Sequence, residues 1–108
     1  MLSYAHGAST VPLLGQTIFE NLTESARRWP DAEALVVCHQ NVRLTYRQFV
    51  AEVERAARGL LAHGLAKGDR VGIWSPNNAE WVIVQYATAA AGIILVNIKP
   101  AYRTHEVA

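Results

Sequence analysis

The sequence predicts an α/β fold, with a small hairpin and a right-handed β-α-β crossover forming part of a mixed sheet. Three observations carry this. First, residues 67–98 pass from a Lys-Gly-Asp turn into a short apolar run, Arg70–Trp74, and then through a Ser-Pro-Asn-Asn break. An apolar segment comes next at Ala79–Ala91, Gly92 closes it, and a β-branched run occupies 93–97. That is the order strand, helix, strand, and such crossovers are right-handed almost without exception. Second, residues 33–38 and 42–44 are strand-like and flank His39-Gln40-Asn41, the arrangement of a hairpin. Third, two other segments repeat apolar residues at helical spacing, each opened by a Thr with Glu or Gln three positions later.

In chain order, residues 1–16 show no sustained period and read as an irregular N-terminal arm; residues 17–108 are the folded part. Thr17 and Glu20 form a capping box ahead of Ile18, Leu22, Ala26 and Trp29, which recur at helical spacing. Arg27 and Arg28 suit the negative end of that helix, and Pro30 stops it. After the hairpin, Thr45 and Gln48 open a longer helix whose apolar face is Phe49, Val50, Val53, Ala57, Leu60 and Leu61. Glu54 and Arg58 stand four apart in the favourable order, and Gly64 comes after as a good C′ residue. Asn77 with Glu80 reads as the start of the crossover helix. Residues 99–102 form a loop, and 103–108 look like the first turn of another helix that stops without a completed face. The expectation is a piece of something longer.

The composition narrows the classes of function. The 108 residues are 51% hydrophobic, enough for a core, and carry a net charge of only +1. That balance leaves no electrostatic footprint for nucleic acid. A single cysteine, Cys38, excludes an internal disulfide framework and fits a reducing compartment; the cytoplasm is the expected location. The first ten residues lack a basic n-region and an apolar h-region, and they are not Arg-rich like a transit peptide. Residues 81–98 are almost continuously apolar, near the length of a membrane span. However, Gly92 divides the run into an Ala-rich half that suits a helix and a β-branched half that suits a buried strand. A helix and a parallel strand, both buried, account for it without lipid, so no transmembrane segment is expected.

No catalytic constellation and no metal set emerges from the residues. There is no GxGxxG after a strand, no GxxxxGK[ST] and no GxSxG. His6, His39, His63 and His105 are scattered and lack metal spacing. Cys38 reads as a small core residue, and Trp29, Trp74 and Trp81 as core or rim aromatics. The best local candidate for function is the loop from Asn97 to Arg103. It comes after the carboxyl end of a parallel strand, where open α/β sheets bind ligands. It carries Lys99, Tyr102 and Arg103, a cation–aromatic–cation cluster suited to a phosphate. An ordinary solvated connection is the competing account.

Several segments together resemble the adenylate-forming enzymes: acyl- and aryl-CoA synthetases, luciferases and the adenylation domains of peptide synthetases. LTYRQF (residues 44–49) resembles an L-T-Y-x-x-L/F segment near the start of that family. GLLAHGLAKGDRVGIWSPNNAEWVIVQYATAAAGIILVNIKPAYRTHEV is similar to the family's next stretch, a G-D-R-V turn, a helix, and A-x-x-x-G-A-x-x-V-x-x-x-P. The opening SYAHGASTVPLLGQT, taken with the last segment, looks most like medium-chain acyl-CoA synthetases of the family-member-2 type and their bacterial relatives. Each motif is a structural segment; the specificity lies in their order and spacing.

The resemblance implies the first part of a large AMP-binding N-terminal domain. It implies a fatty acid–CoA ligase using ATP, Mg2+ and coenzyme A on a fatty acid. An aryl-CoA ligase or a peptide-synthetase adenylation domain is the near alternative, and a non-catalytic α/β binding or interaction module is the alternative of another class. The family's phosphate loop and its magnesium, ribose and adenylate-contacting residues have no counterpart in these 108 residues. The chain alone is therefore expected to be inactive, to bind no cofactor, and to self-associate through uncovered apolar faces. Only Tyr102 and Arg103 carry over, as a loop on the side where the thiol enters. One departure stands out: relatives read N-x-N-P-A-Y before the Arg, whereas Lys99 here replaces an amide.

Overall fold

The computed structural model describes residues 14–99. They form α1 (Ile18–Arg28), β1 (Glu33–Val37), a 3₁₀ turn (Cys38–Gln40), β2 (Val42–Thr45), α2 (Tyr46–Ala62), β3 (Arg70–Trp74), α3 (Ala79–Ala91) and β4 (Ile94–Ile98). Of the expected arm, residues 14–16 are described and carry no regular structure; the helix start expected at 103–108 lies outside the described residues. β1 and β2 pair antiparallel, with Val37 opposite Val42. β3 and β4 pair parallel, from Arg70 opposite Ile94 to Trp74 opposite Ile98. The two pairs are separate two-stranded sheets.

Local chemistry sets the helix ends. At α1 the Glu20 N–H donates to Thr17 Oγ1 at 3.1 Å, and the Thr17 N–H donates back to the Glu20 carboxylate at 3.4 Å. At α2 the Gln48 N–H donates to Thr45 Oγ1 at 3.2 Å, and the Thr45 N–H to Gln48 Oε1 at 2.9 Å. Both capping boxes are therefore closed, each cap stabilising its helix by about 1 kcal/mol. α3 has the bounds the apolar pattern suggests, but its cap is one residue later than expected. Asn78, not Asn77, has the extended backbone of an N-cap, and its Oδ1 accepts the Trp81 N–H at 2.9 Å.

The end of α3 is a Schellman motif. Gly92 has φ +73°, its N–H donates to the Ala89 carbonyl at 3.4 Å, and the Ile93 N–H reaches the Thr88 carbonyl at 2.8 Å. Ile93 is thereby used by the cap and buried, so β4 begins at Ile94 rather than Ile93. The Gly-Asp turn before β3 is stitched to the same corner. Gly68, at φ +91°, donates to the Gly92 carbonyl at 2.8 Å, and Ile94 donates to the Asp69 carbonyl at 2.7 Å. The Asp69 carboxylate accepts the Ala66 N–H at 2.8 Å and tightens the turn.

The core sits where the helices meet. Leu22 of α1, Phe49, Val53 and Ala57 of α2, and Ala87 of α3 are buried together. Phe49 and Val53 each contribute roughly 1.5–3 kcal/mol by leaving water. Val50 and Leu60 are half-buried beside them, but Leu61 is exposed; Leu60 alone continues the stripe beyond Ala57. On α1, Leu22 and Ala26 face inward while Ile18 and Trp29 are exposed, Trp29 lying under the Arg28 guanidinium at 5.9 Å. Along α2, Arg55 pairs with Glu52 at 2.6 Å. Thr88 is a buried polar residue on α3, and its hydroxyl donates to the Val84 and Gln85 carbonyls of its own helix.

Cys38 does not belong to the core. β1 ends at Val37, and the 3₁₀ turn carries the thiol to the surface. On the parallel pair, Val71 and Ile73 are half-buried while Arg70, Gly72 and Trp74 alternate with them on the exposed side. Ile94 and Val96 of β4 are exposed too, which leaves an apolar face uncovered. Ile98 Cδ1 lies over Gly72, 3.0 Å from where a β-carbon would stand. Among the described residues no helix is long and apolar enough to cross a membrane.

Candidate functional site

The carboxyl ends of β3 and β4 open into a cleft of about 340 Å³ lined by Ser75, Pro76, Asn77, Trp81, Asn97 and Lys99. The position is set by topology. Parallel strands joined by a helix point their carbonyl ends the same way, and the loops leaving them converge. The register places Ile73 opposite Asn97, so the chain leaves β3 through Ser75 beside Asn97 and Lys99 at the end of β4.

Hydrogen bonds hold the Ser75–Trp81 wall. The Asn78 side-chain amide donates to Ser75 Oγ at 3.1 Å, and the Ser75 hydroxyl donates to the Pro76 carbonyl at 3.0 Å. The Ala79 N–H, an orphan donor of the first helical turn, is taken by Gln40 Oε1 at 2.7 Å. Gln40 Nε2 donates to the Glu80 carboxylate at 2.9 Å. That bond, and then Glu80's own backbone N–H, hold the Glu80 carboxyl below its ordinary range. The first turn of α3 is therefore satisfied from within the chain and is not an open anion site.

The cleft presents a hydroxyl, two amides, an ammonium and an indole, suited to a polar or anionic group carrying an apolar or planar part. Among the described residues no three His, Cys, Asp or Glu side chains converge as ligands for an ion. Lys99, expected from sequence in a phosphate-facing loop, does line the cleft. Tyr102 and Arg103 lie outside the described residues. The expected loop from Asn97 supplies Asn97 and Lys99 to the lining, but sequence reasoning missed Ser75, Asn77 and Trp81, although the Ser-Pro-Asn-Asn break after an apolar strand was the available signal. It also missed Gln40, which no local pattern marks.

This fold, with a cleft at the end of a parallel crossover, defines an α/β unit of the kind found at the start of adenylate-forming ligases. The AMP-binding enzyme family matches residues 22–108. The chain belongs to the AMP-binding enzyme family. The mouse mitochondrial medium-chain acyl-CoA ligase ACSF2 is 51% identical over 105 residues, which is 97% of this chain and 17% of that protein. Among solved structures, a Mycobacterium tuberculosis fatty acyl CoA synthetase matches with a TM-score of 0.81 and 36% identity, over 84% of this chain and 18% of that one. The N-terminal domain of FACL13 from the same organism matches with a TM-score of 0.82 and 36% identity, over 85% of this chain and 24% of that one. The chain thus spans about a sixth of the length of the curated relative.

Proposed function

We propose that this chain is the opening part of the N-terminal domain of an AMP-forming fatty acid–CoA ligase, residues 1–16 being an arm and 17–108 the domain's first part. The observation that carries the reading is its 51% identity, across 97% of its length, to a protein named as a medium-chain acyl-CoA ligase. In the parent reaction a carboxylate oxygen attacks the α-phosphorus of ATP and pyrophosphate leaves. A thiolate of coenzyme A then attacks the acyl carbon of the adenylate, and AMP leaves. Mg2+ would neutralise charge on the phosphates. Among the described residues no set of ligands for a metal ion converges, and the family's phosphate loop has no counterpart in the 108 residues, so no chemical step is assigned to them. Their role is to bind. The cleft, which Lys99 lines, is assigned to the side where the thiol substrate enters, with Tyr102 and Arg103 coming next in sequence.

The test is expression of the gene product carrying this chain, with octanoate, ATP, Mg2+ and coenzyme A, monitoring octanoyl-CoA and AMP. Benzoate and amino acids are the comparison substrates for the aryl and peptide-synthetase alternatives. Octanoyl-CoA should form fastest, and no acyl-CoA with any of them would sink the reading. Lys99→Ala and Arg103→Ala should raise the KM for coenzyme A and leave ATP–pyrophosphate exchange unchanged. The 108-residue chain alone should release no pyrophosphate.

Trp74, Ile94 and Val96 on one exposed sheet face support self-association of the isolated chain. Sedimentation should show species larger than a monomer, shifting back toward monomer in Trp74→Ser. The compartment inferred from the single cysteine and the opening residues is the cytoplasm. The mouse relative's name says mitochondrial. Fractionation of cells expressing the tagged gene product distinguishes the two.

A further inference from the structure

We propose that Gln40 is a positioning residue for the cleft, acting from the hairpin turn on the loop that forms one cleft wall. The inference rests on the reading of that cleft as the thiol-facing site. Gln40 stands 39 residues before Ala79, and both ends of its side-chain amide are spent on the first turn of α3. Its oxygen accepts the Ala79 N–H at 2.7 Å, and its nitrogen donates to Glu80 Oε2 at 2.9 Å. Asn78, next to Ala79, caps Trp81 through its oxygen and holds Ser75 through its nitrogen. An unbroken series of contacts thus runs from Gln40 through Ala79 and Asn78 to Ser75 and Trp81, two of the cleft's lining residues.

The turn that presents Gln40 is built for it. Cys38–Gln40 form one 3₁₀ turn, closed by the Asn41 N–H donating to the Cys38 carbonyl at 3.1 Å. Asn41 then takes a left-handed conformation at φ 55°, which Asn adopts more readily than most residues, and the chain returns as β2. Gln40 is half-buried, whereas its neighbours Cys38, His39 and Asn41 are exposed. Its side chain belongs to the contact between hairpin and crossover. The Ala79 N–H that it satisfies is part-buried, so losing the acceptor leaves a donor poorly paired. The first turn of α3 would then shift, and Ser75 and Trp81 with it.

The experiment uses the parent ligase. Gln40→Leu should raise the KM for coenzyme A by about three- to tenfold, the range for one or two lost hydrogen bonds. ATP–pyrophosphate exchange with octanoate should be unchanged, and hydrogen exchange in a peptide covering 75–81 should quicken. The Gln40→Glu/Glu80→Gln exchange reverses the donor and acceptor between the two side chains while keeping an oxygen for the Ala79 N–H. It should restore the KM and the protection, whereas Gln40→Glu alone should not. Equal loss of both half-reactions, tracking a lower Tm, would make Gln40 merely structural. An unchanged KM in Gln40→Leu overturns the proposal outright. A wild-type enzyme that makes no acyl-CoA defeats the functional reading instead, and the hydrogen-exchange comparison still decides whether Gln40 holds the wall.

Discussion

Phe49 and Tyr86 meet edge to face, their ring centroids 5.3 Å apart and their planes at 80°. Phe49 comes from the capped start of α2 and Tyr86 from the middle of α3, so this pair joins the two helices that pack most extensively. Phe49 is buried and Tyr86 half-buried, which makes Phe49 the anchor and Tyr86 its cover.

Phe49→Ala should therefore destabilise the chain by about 3–5 kcal/mol, the cost of a large core cavity. Tyr86→Leu, which keeps apolar bulk and loses the aromatic geometry, should cost about 0.5–1.5 kcal/mol. Urea denaturation of the three proteins measures both. Similar losses for the two substitutions would contradict the anchor-and-cover assignment.

The cap of α3 gives a sharper comparison, because two adjacent asparagines differ only in position. Asn78→Ala should cost about 1 kcal/mol, whereas Asn77→Ala should stay within about 0.5 kcal/mol. Thermal unfolding with each variant in turn separates them. A larger effect at Asn77 would move the cap back to where the sequence first suggests it.

Gly92→Ala meets two obstacles. Its φ of +73° disfavours any side chain, and the new β-carbon would come within 2.9 Å of Lys67 Cγ. Gly64→Ala, at φ +92° in open space, meets only the first. The Gly64 change should cost about 1–2 kcal/mol and the Gly92 change more. Adding Lys67→Ala should recover part of the difference at Gly92 and nothing at Gly64, as a double-mutant cycle in Tm would register.

Acid should loosen the junction between hairpin and crossover. The Glu80 carboxyl is held below its ordinary range, mainly by the bond from Gln40. A depressed folded-state pKa contributes stability above the unfolded-state pKa and loses it as pH falls through the folded one. Glu80→Gln should flatten the acid limb of Tm against pH, below the ordinary glutamate range, and leave the neutral region nearly unchanged. An acid limb as steep as the wild type's would remove Glu80 from the account. Glu24, lowered chiefly by its bond from Arg27, is half-buried on the surface of α1, and salt should weaken its contribution.

How much of this was legible in sequence depended on how local its cause was. β3 and α3 have the bounds their apolar pattern and breakers suggest, and both Thr capping boxes close as their spacing implies. Errors of one residue arose where the sequence offers equivalent neighbours, as with Asn77 and Asn78, or where a cap consumes a strand-like residue, as with Ile93. The exposure of Cys38, Ile18 and Leu61 was not legible, because tertiary packing decides which part of an apolar stripe is covered. The cleft's lining comes from two loops separated by a whole helix, and Gln40 acts across 39 residues. Local periodicity does not report contacts of that range. The family resemblance supplied the enzyme class, which the residues alone did not.

Gly72 bears on the cleft through the atom it lacks. It leaves a notch one methyl deep in β3, and Ile98 of the neighbouring strand drops its terminal carbon into it. Sliding β4 by one position would turn Ile98 away from the notch and carry Asn97 to the opposite face of the ribbon. The alignment of the two strands is thus keyed, as a tooth is to a gap, and the key sits one step from the lining. Whether an amide or a hydrocarbon arrives at the rim is decided by a missing side chain on the far side of the ribbon.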